Sequence, residues 1–472
     1  MKFFYIIILT AGAAAILPFL LLCYYTLPGY IDDYGIAMHI QAYGWQFVPY
    51  YLNIWNGRFV AAFFHWLNPL GYRLPELYGL TALFLLSFFG VSTWIFIRSI
   101  TKQLLNGTEQ LVLWTVFLIF FFSYIRTTVD LFYWYSSGAT YCIAICWQLL
   151  YMSFLPKLFV SNPDRWAWFG LPLLGFLQAG TNEVVAATTF IIATVLLIVF
   201  SLRNRKYSSI VVACSLGAIF IGIFLQIVLS DSLRSQSVAN FAPSWGFVVR
   251  GLGITIPYVV GWFKNLPLLA ALFLLLPQMS RIAAKNTVFR FNNIGSIVLL
   301  FAIGGIILLA IVLIYLLFVK GSHMPKRIEN IAYLWWLTTL FAGCFACVQY
   351  LQLRHGVIFQ SLPNFLTVAV MLFIGTKIFS VNTKVGLAWK VLLKGNARAY
   401  KEQYYARYKA MNKIQQLDLK SVVYLKPIEY RLDELIFIED LHDQNISNYF
   451  NNRAYANYFG MDSVLVWKTK YP

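Results

Sequence analysis

The chain has 472 residues, of which 60% are hydrophobic, 18% aromatic and 11% charged, with a formal net charge of +18 and a mean hydropathy of +0.68. That composition excludes an ordinary soluble enzyme and defines a polytopic membrane protein. It holds no Walker loop, GxGxxG, zinc-ligand spacing or nucleophile elbow, so soluble nucleotide chemistry and nucleic-acid partners are not expected.

The first element is an apolar run, Phe3 to Leu27, without a charged side chain. At 1.5 Å per residue it can cross a hydrocarbon core of roughly 30 Å. Lys2 precedes it and no small-x-small cleavage site follows, so it reads as an uncleaved first span. Pro28 and Gly29 should stop the helix, and Asp32 and Asp33 follow as adjacent carboxylates. Repulsion between them should raise the pKa of one or both unless a cation compensates. The pair is a candidate general base. The plainer reading is an acidic loop leaving a membrane.

The first outer loop, about 28–75, is long and amphipathic, rich in Tyr and Trp. Such rings suit a segment lying in the membrane interface. Arg58 within Asn56-Gly57-Arg58 differs, because a guanidinium can fork onto a phosphate. Beyond the first span (3–27), further spans are expected near 76–97, 110–125, 138–158, 166–180, 184–202, 208–229, 265–280, 294–319, 331–350 and 358–379, about eleven in all. Trp245 to Phe263 is apolar but interrupted by Gly251, Gly253, Pro257 and Gly261, which fits a re-entrant or interfacial piece better than another span. All six cysteines lie in apolar runs. The Cys344/Cys347 CxxC falls inside a span, where helix packing explains it better than redox or metal chemistry.

Three further segments carry candidate site residues. Arg126 and Asp130 precede Tyr133-Trp134; Asp130 either pairs with Arg126 or acts in catalysis. Thr181-Asn182-Glu183 places a carboxylate near membrane depth, a functional candidate by default, although a helix cap explains it equally well. Lys320, His323, Lys326 and Arg327 crowd one short loop, suited to a leaving phosphate or to anionic lipid. Compact basic turns favour a cytoplasmic N-terminus. The opposite loops then hold both the carboxylates and many cations, which implies an anionic ligand.

Composition changes near 381, dividing the chain into a membrane domain, 1–380, and a small tail, 381–472. In the tail, 384–416 reads as an amphipathic helix, and Val422–Leu425, Leu435–Ile438 and Val464–Trp467 read as short strands. An odd number of spans puts this α/β tail on the same side as Asp32 and Asp33.

The acidic pair after the first span, the long first outer loop and the span count resemble the GT-C class of membrane glycosyltransferases. More narrowly, Asp32-Asp33-Tyr34, Trp55-Asn56-Gly57-Arg58, Tyr133-Trp134, Thr181-Asn182-Glu183 and Asn452-Arg453-Ala454-Tyr455-Ala456-Asn457-Tyr458-Phe459-Gly460 resemble the bacterial DUF6056 family, related in style to O-antigen glucosyltransferases. The resemblance implies an all-α, GT-C-like fold in the bacterial cytoplasmic membrane with the tail extracytoplasmic. It also implies a polyprenyl-phosphate sugar donor and a first-loop carboxylate as base. The expected acceptor is a cell-envelope glycan or glycolipid. On this reading Asp32 or Asp33 takes the proton, and Asp130 and Glu183 orient sugar hydroxyls or a divalent cation. Arg58, Arg126, Lys320, His323, Lys326 and Arg327 are the phosphate candidates. Two other classes stay open: an O-antigen-type polymerase or ligase, and a lipid-linked sugar transporter or flippase using Glu183 as a coupling site.

Overall fold

The computed structural model describes residues 2–30, 32–159, 165–228, 244–285, 291, 293–318, 323–357, 359, 363–417, 422–430, 432, 435–437, 439–443 and 450–466. Helix α1, Lys2–Cys23, contains Pro18. Proline has no N–H, so the Ala14 carbonyl four residues earlier loses its helical donor. The indole of Trp389, far along the chain, donates to that oxygen at 2.9 Å. The helix ends at Cys23 rather than near Pro28. The chain turns there through Tyr24 N to Leu21 O (3.2 Å) and Tyr25 N to Leu22 O (2.9 Å).

Helix α2, Asp32–Tyr43, then begins with both carboxylates in its first turn, where the helix dipole favours negative charge. The pair thus opens a helix instead of lying in a loop. Short helices α3, Phe47–Tyr51, and α4, Phe59–Trp66, complete most of the first connecting segment. The bundle continues with α5, Tyr78–Thr101; α6, Gly107–Tyr124; α7, Tyr135–Leu158; α8, Arg165–Ala179; α9, Glu183–Leu202; and α10, Lys206–Val228. It is completed by α11, Trp245–Phe263; α12, Leu266–Lys285; α13, Ile294–Phe318; α14, Lys326–His355; and α15, Asn364–Ile378. The sequence marks several helix starts. Asn106 and Glu109 form a reciprocal capping box on α6 (both bonds 3.0–3.1 Å), which satisfies two otherwise orphaned backbone donors.

Among the described residues, ten helices are long and apolar enough to cross a membrane. They are α1, α5–α7 and α9–α14; α8 and α15 are shorter, at 15 residues each. The chain is therefore a nearly all-helical, multi-pass membrane protein. A stack of phenylalanines binds α1, α5 and α6 together: Phe19 on Phe122 at 4.9 Å and Phe89 on Phe121 at 4.8 Å between centroids. Offset rings of this kind add to the burial of apolar area. Helix α11 is unusual, with both its ends in one half of the bundle. Gly251 lies against Leu313 near the end of α13, and the rings of Trp262 and Phe263 pack on Trp336 in the first half of α14.

After α15 come α16, Lys384–Leu393, and α17, Asn396–Gln416. The single helix expected over 384–416 is broken at Gly395, whose φ of +73° is left-handed, a conformation glycine adopts without steric cost. Strands β1, Val422–Leu425, and β2, Ser463–Val466, pair in parallel, Val422 opposite Ser463, with α18, Phe450–Phe459, between them in sequence. Over the described residues 435–437, the strand expected at Leu435–Ile438 does not form. The Leu432 carbonyl takes the N–H groups of Leu435, Ile436 and Phe437 at 3.1–3.2 Å, curling the backbone; Ile438 and Trp467 lie outside the described residues.

The tail closes onto the first connecting segment. Tyr30 and Tyr34 pack with Tyr404, Tyr455, Tyr458 and Phe459, and the Tyr34 and Tyr404 hydroxyls bond each other. Lys401 donates to Tyr24 O at 2.7 Å, and Tyr458 to Leu70 O at 3.1 Å. A buried Arg407–Asp440 pair (2.6 and 3.0 Å) fixes the tail's interior. Tail and first segment therefore share one end of the bundle.

Candidate functional site

At that end Asp33 and Asp32 part company. Asp33 is fully buried and accepts from Gly29 N (2.7 Å), Tyr78 OH, Ser136 N (3.3 Å) and Ser136 Oγ. Burial pushes its pKa up, and these hydrogen bonds pull it back. The shift expected from carboxylate repulsion is thus present at Asp33, but its cause is desolvation. Asp33 ties the start of α2 to α5 and α7. Asp32, one residue earlier, is half-buried and lies within electrostatic reach of Arg327.

Arg327 is in the first turn of α14. It also faces Asp130 and Arg58, and its guanidinium lies 5.4 Å from the centre of the Tyr141 ring. Asp130 is carried by a single wide turn, Val129–Tyr133, closed by Trp134 N to Val129 O at 2.8 Å. The Arg58 guanidinium is also near this ring, 6.0 Å from its centre.

Arg58 forms a two-pronged ion pair with Glu183: Nε to Oε2 at 2.8 Å and Nη2 to Oε1 at 2.5 Å. Burial alone would lower the guanidinium's pKa; Glu183 and Tyr141 more than reverse that, and it stays charged. The loop reaches Glu183 because two glycines permit it. Gly57 has φ +59°, and a Cβ there would lie 2.0 Å from the Gln226 carbonyl oxygen. A Cβ on Gly180 would strike the Phe59 ring at 2.4 Å, while its carbonyl receives Val60 N at 2.9 Å. Asn182 caps α9 by accepting from Val184 N and Val185 N, so this segment is both a cap and the holder of Glu183. His65, buried beside Arg58, bonds Thr140 at 3.3 Å. Burial, then the Arg58 charge, lowers its pKa to about 3.

The structure thus gathers Asp32, Asp130, Arg58, Glu183 and Arg327. Arg126 makes an ion pair with Glu329 at 3.7 Å, one turn along α14 from Lys326. His323 and Lys326 are exposed, and Lys320 lies outside the described residues. The Asn330 side chain and the Thr127 backbone exchange two bonds (2.8 and 3.3 Å), and Thr128 donates to Leu435 O at 2.8 Å. The tail therefore also braces the segment bearing Asp130. Among the described residues no group of three or more His, Cys, Asp or Glu gathers as a metal cage. A divalent ion here would rest on Asp32 or Asp130 together with oxygens of a ligand.

Ser136 belongs to the run Tyr133-Trp134-Tyr135-Ser136-Ser137-Gly138, whose aromatic and small polar residues are untypical of a plain connector; the residues missed in the sequence are Tyr141, Tyr78 and His65. Each sits in an apolar or aromatic run with nothing local to mark it. Compared with family models, with curated proteins and with solved structures, the chain matches none.

Proposed function

We propose that the protein is a GT-C-like membrane glycosyltransferase. It moves a sugar from a polyprenyl-phosphate donor to a cell-envelope glycan or glycolipid on the outer face of the bacterial cytoplasmic membrane, with its tail extracytoplasmic. The resemblance to the DUF6056 family supports this reading. The observation that carries it is the cluster of a half-buried carboxylate, Asp32, with the guanidinium of Arg327 beside the Tyr141 ring and the Arg58–Glu183 ion pair. The acceptor hydroxyl attacks the anomeric carbon and gives its proton to Asp32. The bond from that carbon to the phosphate oxygen breaks, and the phosphate leaves with the electron pair. Arg327 stabilises the charge that develops there. Asp130 holds Arg327 in place, and the Arg58–Glu183 pair fixes the wall behind it.

The test is transfer by the purified chain in lipid discs, using labelled polyprenyl-phosphate sugars and envelope glycans as acceptors, with mass spectrometry of the product. A covalent glycan product that requires the chain supports the reading. Movement of intact lipid-linked sugar across vesicles, with no product, would replace it by transport.

A further inference from the structure

Ser137 and Tyr141 lie at i and i+4 on one face of the first turns of α7, and Trp134, its backbone extended, is the residue that caps the start of the helix. All three are more than nine-tenths buried: 5%, 4% and 6% exposed. The Trp134 Nε1–H and the Ser137 hydroxyl have no hydrogen-bond partner among the described residues. Such orphaned groups cost free energy when buried, so a native protein that keeps them supplies a partner from elsewhere. The neighbouring positions are occupied: Ser136 is spent on Asp33, and Thr140 on His65 and the Ser136 carbonyl. The third member, Tyr141, is the ring that lies against both Arg58 and Arg327.

We infer that the start of α7, Trp134 together with the face bearing Ser137 and Tyr141, is the wall that binds the head of the ligand, a sugar joined to a phosphate. The inference rests on the proposed function for the identity of that ligand. Indole N–H only donates, and the serine hydroxyl is free to donate; a pair of unused donors calls for an acceptor-rich partner such as glycosyl hydroxyl and ring oxygens. Tyr141 works differently, as a positioning residue. Its ring face attracts both guanidiniums and holds Arg327 turned toward the phosphate, while Glu183 already neutralises Arg58. Phosphate recognition thus falls at the Tyr141 end and sugar recognition toward Trp134.

The experiment measures binding, not turnover, by the full chain in lipid discs, with two probes: an isoprenyl monophosphate and the same lipid carrying a sugar. Ser137→Ala and Trp134→Phe should each weaken the sugar-bearing lipid about tenfold, ~1.4 kcal/mol, and leave the bare phosphate lipid unchanged. Tyr141→Leu should weaken both probes, and Tyr141→Phe, which keeps the ring, should restore them. Thermal unfolding of each variant checks that it is folded. Parental affinity for both probes in Ser137→Ala and Trp134→Phe, or equal weakening of both, overturns the wall; Tyr141→Leu binding like the parent overturns the positioning role. Transfer that survives Asp32→Asn would sink the proposed base and leave these binding results standing.

Discussion

Replacing each carboxylate of the acidic pair by its amide separates catalysis from architecture. In Asp33→Asn one carboxylate oxygen becomes an NH₂ group facing donors. The least costly rotamer keeps the amide oxygen on Gly29 N and Tyr78 OH and turns the NH₂ toward Ser136, whose Oγ can accept. The Ser136 N–H, now 3.3 Å from Asp33, is then orphaned. The charge-assisted character of the other bonds is lost as well. Hydrogen bonds to charged groups contribute roughly 1.5–3 kcal/mol and a buried orphan costs about 1–3, so a loss of about 2–4 kcal/mol is expected, read as a lowered unfolding temperature in detergent. Asp32→Asn disturbs no such network of Asp33 bonds. It should stay folded with the Asp33 bonds intact, bind the phosphate lipid, and turn over roughly 10² to 10⁴ more slowly. The reasoning is refuted if Asp33→Asn is as stable as the parent but inactive, which would make Asp33 the base. It is refuted equally if Asp32→Asn transfers sugar at a near-parental rate.

Three other outcomes follow from the same geometry. Glu183→Gln leaves the buried Arg58 charge unpaired and should cost about 3–5 kcal/mol in unfolding measurements; Arg58→Met combined with Glu183→Leu should recover part of it, and a silent single variant would remove the pair's structural role. His65 is neutral in the folded chain, with its pKa lowered to about 3, while the unfolded chain takes up a proton near pH 6.5. Its contribution is therefore whole above that pH and is lost as pH falls, by roughly 2 kcal/mol at pH 5; His65→Gln should flatten that slope, and identical slopes in parent and variant would discount it. Trp389→Phe orphans the Ala14 carbonyl at a cost of about 1–2 kcal/mol. Adding Pro18→Ala returns the helical donor and should offset that loss, so additive losses in the double variant would disprove the pairing.

Most of the helices were legible because apolar runs bounded by Gly, Pro and charged residues mark them directly. The boundaries moved where a distant partner decided them. Lys401 sits on the Tyr24 carbonyl where α1 ends, and Gly395 cuts one amphipathic helix into two. The candidate site was legible in its charges, since intramembrane and near-membrane ions are few enough to name. Their pairing was not. Glu183 looked equally like a cap or a functional group, and the fold gives the capping to Asn182 and the charge to Arg58. Nothing local distinguishes Asp33 from Asp32 either; the difference arises from Tyr78 and Ser136, more than forty and one hundred residues away. Tyr141 was invisible because an aromatic residue in an apolar helix carries no signal until two guanidiniums arrive from other segments.

The contacts also decide what length and hydropathy cannot about the path through a bilayer. Helix α2 touches α18 through Tyr34 and Tyr455, so the chain between them must cross a membrane an even number of times. Helices α5 to α10, α12, α13, α14 and the stretch through α15 and α16 make an even set of crossings. Counting α11 as another would place α18 on the opposite side from Tyr34, which the packed rings forbid. Yet α11 meets the length criterion while α8 and α15 do not. Its own sequence gives the reason: Gly251, Gly253, Pro257 and Gly261 interrupt the apolar run, and both ends lie in the half of the bundle that holds Arg327. Helices α11 and α12 then make a single passage, divided at Lys264-Asn265. Between α11, α13 and α14 this leaves a cavity of about 460 Å³, lined by Leu252, Val259, Phe301, Leu309, Trp336 and Leu340. A full-length crossing helix in α11's place would run along α13 and α14 from end to end; the cavity instead lies around the middle of both, from Phe301 to Leu309 on α13 and from Trp336 to Leu340 on α14.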